Sequence, residues 1–320
     1  MSTEGLIAHA HIYINNSIAP STRLTYQAAY TRYINFCHAH GLQVLPLTSQ
    51  TTILFMTHLA TSGLAYRTLK IYLAGIIRMH IEAGYSNTIR DDCLLQCTLK
   101  GIKRIHGEVA NTRLPITIEV MRILKDSLMK SNNYTKPDKH MLWAAYTLAF
   151  FAFLRVSEFT APSSSRFDPV NTLLGSDVNI NKDLEVNIKM SKTDPFRQGC
   201  SITVAPSGSE ICAVEAFKTY CAFRPLINHL PAFQFVDGRF LTRQALGDSI
   251  RDLLTSAKVP NVHQYTTHSF RSGAATTAAE VNLPDWLIKA LGRWRSDSYQ
   301  VYIKTPKTVL RSVPSRLTGH

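Results

Sequence analysis

The chain has 320 residues, 45% hydrophobic and 18% charged, with a formal net charge of +13. This composition excludes a disordered chain, and the length suits two domains better than one core. There is no run of about 18 apolar residues, and MSTEGLIAHAHIY lacks the charged and apolar regions of a signal peptide. A soluble intracellular protein with no membrane partner is therefore expected. The basic balance points to a polyanion, nucleic acid ahead of a membrane surface. Cys37, Cys93, Cys97, Cys200, Cys212 and Cys221 show no CxxC spacing and read as free thiols in a reducing compartment. Neither Cys37 with His38 and His40 nor Cys93 with Cys97 has a second pair at zinc-finger spacing, so no metal site is expected.

Residues 1–106 read as a helical domain. STRLTYQAAYTRYINFCHAHG has a Ser21-Thr22 cap, helical apolar spacing and Gly41 as a stop. TTILFMTHLATSG and AYRTLKIYLAGIIRMHIEAGY follow, each ending at glycine. From Gly5 to Ile81 there is no Asp or Glu, while Arg23, Arg32, Arg67, Lys70 and Arg78 are present. Arg67, Lys70 and Arg78 fall within about 80° on a helical wheel, away from Leu69, Leu73, Ile76 and Ile77. A solvated basic face explains this as well as a DNA-facing one does. The lack of acids favours DNA, because a surface approaching phosphates has reason to omit them.

HGEVANTRLPIT reads as a linker over 107–116, with a second domain over 117–320. That domain opens with the helix ITIEVMRILKDSLMK. HMLWAAYTLAFFAFLRVSEF is apolar all round, which predicts a buried helix ending at Arg155. The alternating stretch SDVNINKDLEVNIKMSKTDPFRQGCSITVAP predicts a small antiparallel sheet. EICAVEAFKTYCAF, TRQALGDSIRDLLTSA, SGAATTAAEV and PDWLIKALGRW read as helices again. The fold class is mainly α with a small antiparallel β-sheet.

The second domain holds the residues with chemical potential. Arg155 beside an apolar helix is costly unless paired or bound to an anion, and Glu158 one turn on offers a purely structural pair. Lys192, at a hairpin turn, alone reads as an ordinary exposed lysine. His268 and Arg271 stand at i and i+3, followed by small residues that let backbones approach closely. LGRWRSDSYQVYI supplies Arg293, Trp294 and two tyrosines, Tyr299 and Tyr302.

In this order, FLRVSE, MSKTD, HSFR, LGRW and VYI resemble the tyrosine recombinases, or phage integrase family. The resemblance covers nearly the whole chain. It implies a helical core-binding (SAM-like) domain and a catalytic domain forming a C-shaped DNA clamp. It implies double-stranded DNA as partner and self-association, a dimer on each site and a tetramer in the synapse. Arg155 and Arg271 would clamp the scissile phosphate, His268 would accept a proton, Lys192 would be the general acid and Tyr302 the nucleophile. The wording is most like the eukaryotic mobile-element branch (Crypton and DIRS-like groups), which implies a nuclear location. Competing readings are a catalytically inactive or domesticated DNA-binding descendant and a type IB topoisomerase.

These residue types suit phosphodiester cleavage. Guanidinium binds phosphate oxygens bidentately and stays charged. A phenol, with its pKa near 10, needs help to ionise. A 3′-phosphotyrosine stores the bond energy, so neither cofactor, ATP nor metal is expected. The chain departs from the family where His or Trp usually follows the glycine, nine residues before the tyrosine. Here Arg293 is nine before Tyr302 and Trp294 eight. Either Arg293 donates to the phosphate, or Trp294 packs on the tyrosine segment and donates through its indole N–H. In the tail, Val309, Leu310, Val313 and Leu317 have near-helical spacing broken by Pro314. There a docking segment competes with a local helix.

Overall fold

In the computed structural model, which describes residues 2–86, 89–107, 113–191, 194, 198–301, 314–315 and 318, the chain divides into two units, Met1–Asn111 and Thr112–His320. The first is built from α1 (Thr3–Asn16), α2 (Pro20–Ala39), α3 (Ser49–Thr61), α4 (Tyr66–Glu82) and α5 (Cys93–His106). Glycines end three of these as the pattern predicts: Gly41, Gly63 and Gly84 follow α2, α3 and α4 with φ of +61°, +80° and +88°. The entry to α2 differs from expectation. Ala19 is its N-cap and Pro20 starts the first turn, where proline's fixed φ suits the helix, so Ser21 and Thr22 lie inside it. Side-chain caps do start α3 and α5, where Thr48 and Asp92 accept from the backbone N–H of Thr51 and Leu95.

Leu69, Leu73, Ile76 and Ile77 of α4 enter a core with Tyr33, Phe36, Phe55, Met56, Leu59, Leu95 and Leu99. Arg67 and Lys70 stay exposed on the other side, as do Arg23 on α2 and, half-buried, Arg32. Arg78 is engaged instead. Its Nε donates to Glu82 at 2.7 Å, and Nη2 to the Ile14 carbonyl and the Ser17 hydroxyl, both at 3.0 Å. It thereby ties down the end of α1, a helix that buries none of its own residues.

The second unit contains α6 (Ile118–Lys130), α7 (Lys136–Phe151), the short α8 (Val156–Phe159) and a three-stranded sheet. Its strands β1 (Val178–Ile180), β2 (Leu184–Ile188) and β3 (Cys200–Val204) pair antiparallel in sequence order. Among the described residues, α9 (Ala213–Phe223), α10 (Arg243–Ser256), α11 (Ser269–Glu280) and α12 (Asp285–Leu291) follow. All residues of α7 from Met141 to Phe150 are buried, as a helix apolar on every face demands, and α9 and α11 pack on it. Among the described residues no helix is long and apolar enough to cross a membrane.

Two boundaries move from where the pattern puts them. The second unit takes in residues before 117, because Leu114 and Ile116 donate backbone bonds to the carbonyls of Gln264 (3.1 Å) and Ser269 (2.9 Å). A Cβ on Gly273 would lie 1.8 Å from the Ile116 carbonyl oxygen, so the small-residue start of α11 is what admits this segment. Arg155 does not end α7. The helix stops at Phe151, and Arg155 caps α8 in an extended conformation.

Candidate active site

The site grows from two helix ends closed by the same left-handed turn. After α7, Phe153 (φ +50°) and Leu154 donate to the carbonyls of Phe150 and Ala149. After α12, Arg293 (φ +53°) and Trp294 donate to those of Ala290 and Lys289. Glycine normally takes the left-handed position, and another residue there costs about 1–2 kcal/mol. In the second turn the glycine stands one residue early. Gly292 has an ordinary φ of −79°, but a Cβ on it would fall 1.7 Å from the Trp294 ring. The glycine makes room for the indole, and Arg293 takes the strained position.

Two arginines stitch these turns together. Arg271, 1% exposed, donates from its terminal nitrogens to the carbonyls of Phe153 and Gly292. Arg293 Nη1 donates to the Ala152 carbonyl at 3.1 Å. Both thus satisfy carbonyls at the C-terminal end of α7, where cations are favoured. The Trp294 ring covers Arg271, with the guanidinium carbon 4.4 Å from its centroid. Phe153 meets that indole edge-on at 6.3 Å.

Glu158 is the hub of the charges, with a side chain 1% exposed. Its Oε1 accepts from Arg155 Nη1 at 2.9 Å. Its Oε2 accepts from the Arg155 backbone N–H and from Arg293 Nη2, both at 2.8 Å. One buried carboxylate therefore serves two guanidiniums, which offsets its desolvation. The start of β3 adjoins this hub. Burial pushes the Cys200 thiol up, and the charges of Arg293, Glu158, Asp194 and Arg155 act on it.

His268 caps α11, one helical turn before Arg271. Burial first, then the charges of Arg271, Arg113, Arg155 and Arg243, lower its pKa from 6.5 to about 4. At neutral pH the imidazole is uncharged and able to accept a proton. An anion arriving among these arginines would raise its proton affinity, so the ring becomes a better base when a phosphate is present.

The structure thus brings together Arg155, His268, Arg271, Arg293 and Trp294. A cleft of 460 Å³ separates the hairpin residues Ser191, Asp194 and Cys200 from Lys289, Arg293 and Trp294. Lys192 and Tyr302 lie outside the described residues, as does the tail apart from residues 314, 315 and 318. Tyr299 is buried at 3% exposure with its ring 5.8 Å from that of Trp294, a packing residue. Arg67, Lys70, Arg78, Arg23 and Arg32 belong to the first unit. Among the described residues, no group of three or more His, Cys, Asp or Glu is placed to hold a metal ion.

Sequence reasoning missed Arg113 and Arg243 and undervalued Glu158. Arg113 falls in the expected linker. Arg243 opens α10 and lines a second cleft of 760 Å³ with Ser157, Asn171 and Gln244. An exposed arginine at a helix start carries no distinguishing signal. Glu158 did carry one, its i+3 spacing from Arg155.

No family model matches the chain. An integrase/recombinase xerD homolog from Selenomonas ruminantium is 22% identical over 309 residues, covering 92% of this chain and 84% of the relative. Among solved structures, the Tn1549 transposon integrase in complex with transposon right end DNA superposes with a TM-score of 0.62 at 13% identity, covering 97% of this chain and 98% of that one. A lambda integrase dimer bound to a core site gives 0.60 at 14% identity, covering 93% and 76%. XerH site-specific recombinase bound to its difH substrate, in a post-cleavage complex, gives 0.58 at 16% identity, covering 84% and 72%.

Proposed function

We propose that this chain, a member of the tyrosine recombinase (integrase) family, breaks and rejoins double-stranded DNA at specific sites. The observation that carries the reading is His268, held neutral beside Arg155 and Arg271, with Arg113 and Arg243 also acting on it. A buried neutral base within a cluster of fixed cations suits a phosphodiester, whose transition state carries negative charge and whose nucleophile must lose a proton.

In the proposed reaction the Tyr302 phenol attacks the scissile phosphorus and its proton passes to His268. The bond to the 5′-oxygen breaks, Lys192 protonates that oxygen, and a 3′-phosphotyrosyl link remains. A 5′-hydroxyl from a second strand reverses the sequence and frees the tyrosine. The phosphate ester count is unchanged, so rejoining needs no nucleotide hydrolysis. Arg155 meets the non-bridging oxygens, and Arg271, whose terminal nitrogens already hold the Phe153 and Gly292 carbonyls, adds its charge from behind; together they take the role a metal has in other phosphoryl transfers. Adduct formation is therefore expected to survive a chelator.

The first unit would grip the duplex through Arg67 and Lys70. The partners are double-stranded DNA and further copies of this chain, a dimer on each site and a tetramer in the synapse. The lambda integrase structure, a dimer bound to a core site, supports the dimer on each site. A nuclear location is proposed on the eukaryotic mobile-element wording of the motifs alone, and imaging of the tagged chain checks it.

A nicked duplex carrying the termini of the DNA element that encodes the chain tests the reading. Cleavage beside the nick releases a short fragment and traps the covalent adduct. Wild type should form the adduct, Tyr302→Phe should not, and Tyr299→Phe should form it if folded. Wild type that binds this DNA without ever forming an adduct would leave only the inactive, DNA-binding reading.

A further inference from the structure

We propose that Arg293 is a positioning residue that anchors the segment leading to Tyr302 onto the Arg155 element through Glu158, and does not itself bind the scissile phosphate. This rests on the reading above and answers which of Arg293 and Trp294 faces the phosphate: the arginine faces the protein.

The first observation is how the three guanidinium nitrogens are used. Nη1 donates to Ala152 and Nη2 to Glu158, while Nε is buried with no acceptor among the described residues. A guanidinium that clamps phosphate needs one edge with two N–H groups free to point at it. Among the described residues Arg155 keeps such an edge, because Glu158 takes only its Nη1 and the carboxylate's other oxygen is met by backbone and by Arg293.

The second observation is backbone strain. Arg293 holds φ at +53° in a turn that favours glycine, although a glycine is available next door. Such strain persists where surrounding contacts over-determine it. Here the contacts are the Ala152 carbonyl and Glu158, 141 and 135 residues away in sequence. They fix the path of the chain nine residues before Tyr302.

The third is the coupling that one carboxylate imposes. Losing Arg293 leaves buried Glu158 with Arg155 as its sole ion-pair partner among the described residues, which pulls that guanidinium toward the carboxylate. The effect of Arg293 on chemistry then runs through Arg155 and through the tyrosine segment.

Two measurements on the nicked duplex decide the matter, with thermal melting of each variant as the folding control. In a double-mutant cycle, Arg293→Met and Glu158→Gln should each slow adduct formation. The double variant should be within about threefold of the worse single one, because both remove one link. Multiplying losses would overturn the proposal. In the second measurement the scissile phosphate is replaced by a methylphosphonate, which lacks the negative charge. Arg155→Met should recover at least about tenfold relative to wild type, since the charge it neutralises is gone. Arg293→Met should recover less than about threefold, and recovery equal to that of Arg155→Met would overturn the proposal. If Arg293→Met does not fold, Arg293→Gln, which keeps a donor for Ala152, takes its place in both arms. Wild type that forms no adduct on the ordinary phosphodiester would bring down the parent function instead.

Discussion

The basic side of α4 and the arginine cluster behind α7 carry the same charge and put it to different uses. Arg67 and Lys70 project into water from a helix whose opposite side is core. They are free to move, and their surroundings lack acids from Gly5 to Ile81. Arg271 and Arg293 are pinned to backbone carbonyls, and Arg155 and Arg293 share a buried glutamate. Exposed charge is cheap and screened by salt, which suits sequence-independent grip on a polyanion. Buried charge is costly and repays that cost through fixed geometry, which suits a reaction that must meet charge as it develops.

This contrast breaks first at the buried arginines. Arg271→Met should slow adduct formation by at least about 10²–10³-fold. It should also lower stability by several kcal/mol, at about 1–3 kcal/mol for each of the two carbonyls left unpaired. Arg155→Met should lose activity by a similar factor with a smaller shift in Tm, because no buried backbone carbonyl depends on it. Single-turnover cleavage alongside thermal melting separates the two.

His268→Gln should cost about 10²-fold in cleavage and change the pH dependence. In wild type the acid limb of kcat/KM should fall near pH 4 rather than 6.5, since the free site holds His268 neutral. The sign for stability follows from the same depression. Between 6.5 and about 4 the unfolded chain takes up the proton before the folded one does, so stability is lost as pH falls through that window. Denaturant melts of His268→Gln should show a flatter slope there. A wild-type acid limb at 6.5 would mean that the cations do not act on the ring as described.

Gly292→Ala tests the packing beneath the charges. Its Cβ cannot coexist with the Trp294 ring, and the repacking should cost about 1–3 kcal/mol, or several degrees in Tm. The smallest effects belong to the exposed face. Arg67→Gln and Lys70→Gln should each weaken DNA binding a few-fold and reduce the slope of log K against log salt by about 1. Cleavage at saturating DNA should be unchanged. Arg78→Gln should alter the salt slope less than either, since Arg78 already pairs with Glu82 and holds α1. Equal slopes for all three would erase the distinction between solvated and engaged charge in the first unit.

Much of this arrangement is legible in the sequence, and the illegible part has a common cause. Glycines after α2, α3 and α4 mark helix ends, and alternation from Val178 to Val204 marks the sheet, because both signals are local. The order of Arg155, His268, Arg271 and Trp294 is equally readable. The turn at Arg293 is not, since Gly292 looks like the left-handed stop and is kept glycine by an aromatic ring instead. The left-handed Phe153, which closes the end of α7 three residues before Val156 begins α8, is hidden within an unbroken apolar run. Arg113 and Arg243 reach His268 from segments far apart in the chain, and no spacing rule records such a meeting.

The most direct test is to locate the covalent bond itself. The adduct trapped on the nicked duplex would be digested with protease and the DNA-linked peptide sequenced by mass spectrometry. The expected result is a phosphotyrosyl bond to the 3′ end of the cleaved strand at Tyr302. A link through Tyr299 or any other residue, or no covalent peptide from a wild-type protein that binds the site, would contradict the reading of this chain as a strand-exchange enzyme built around Arg155, His268 and Arg271.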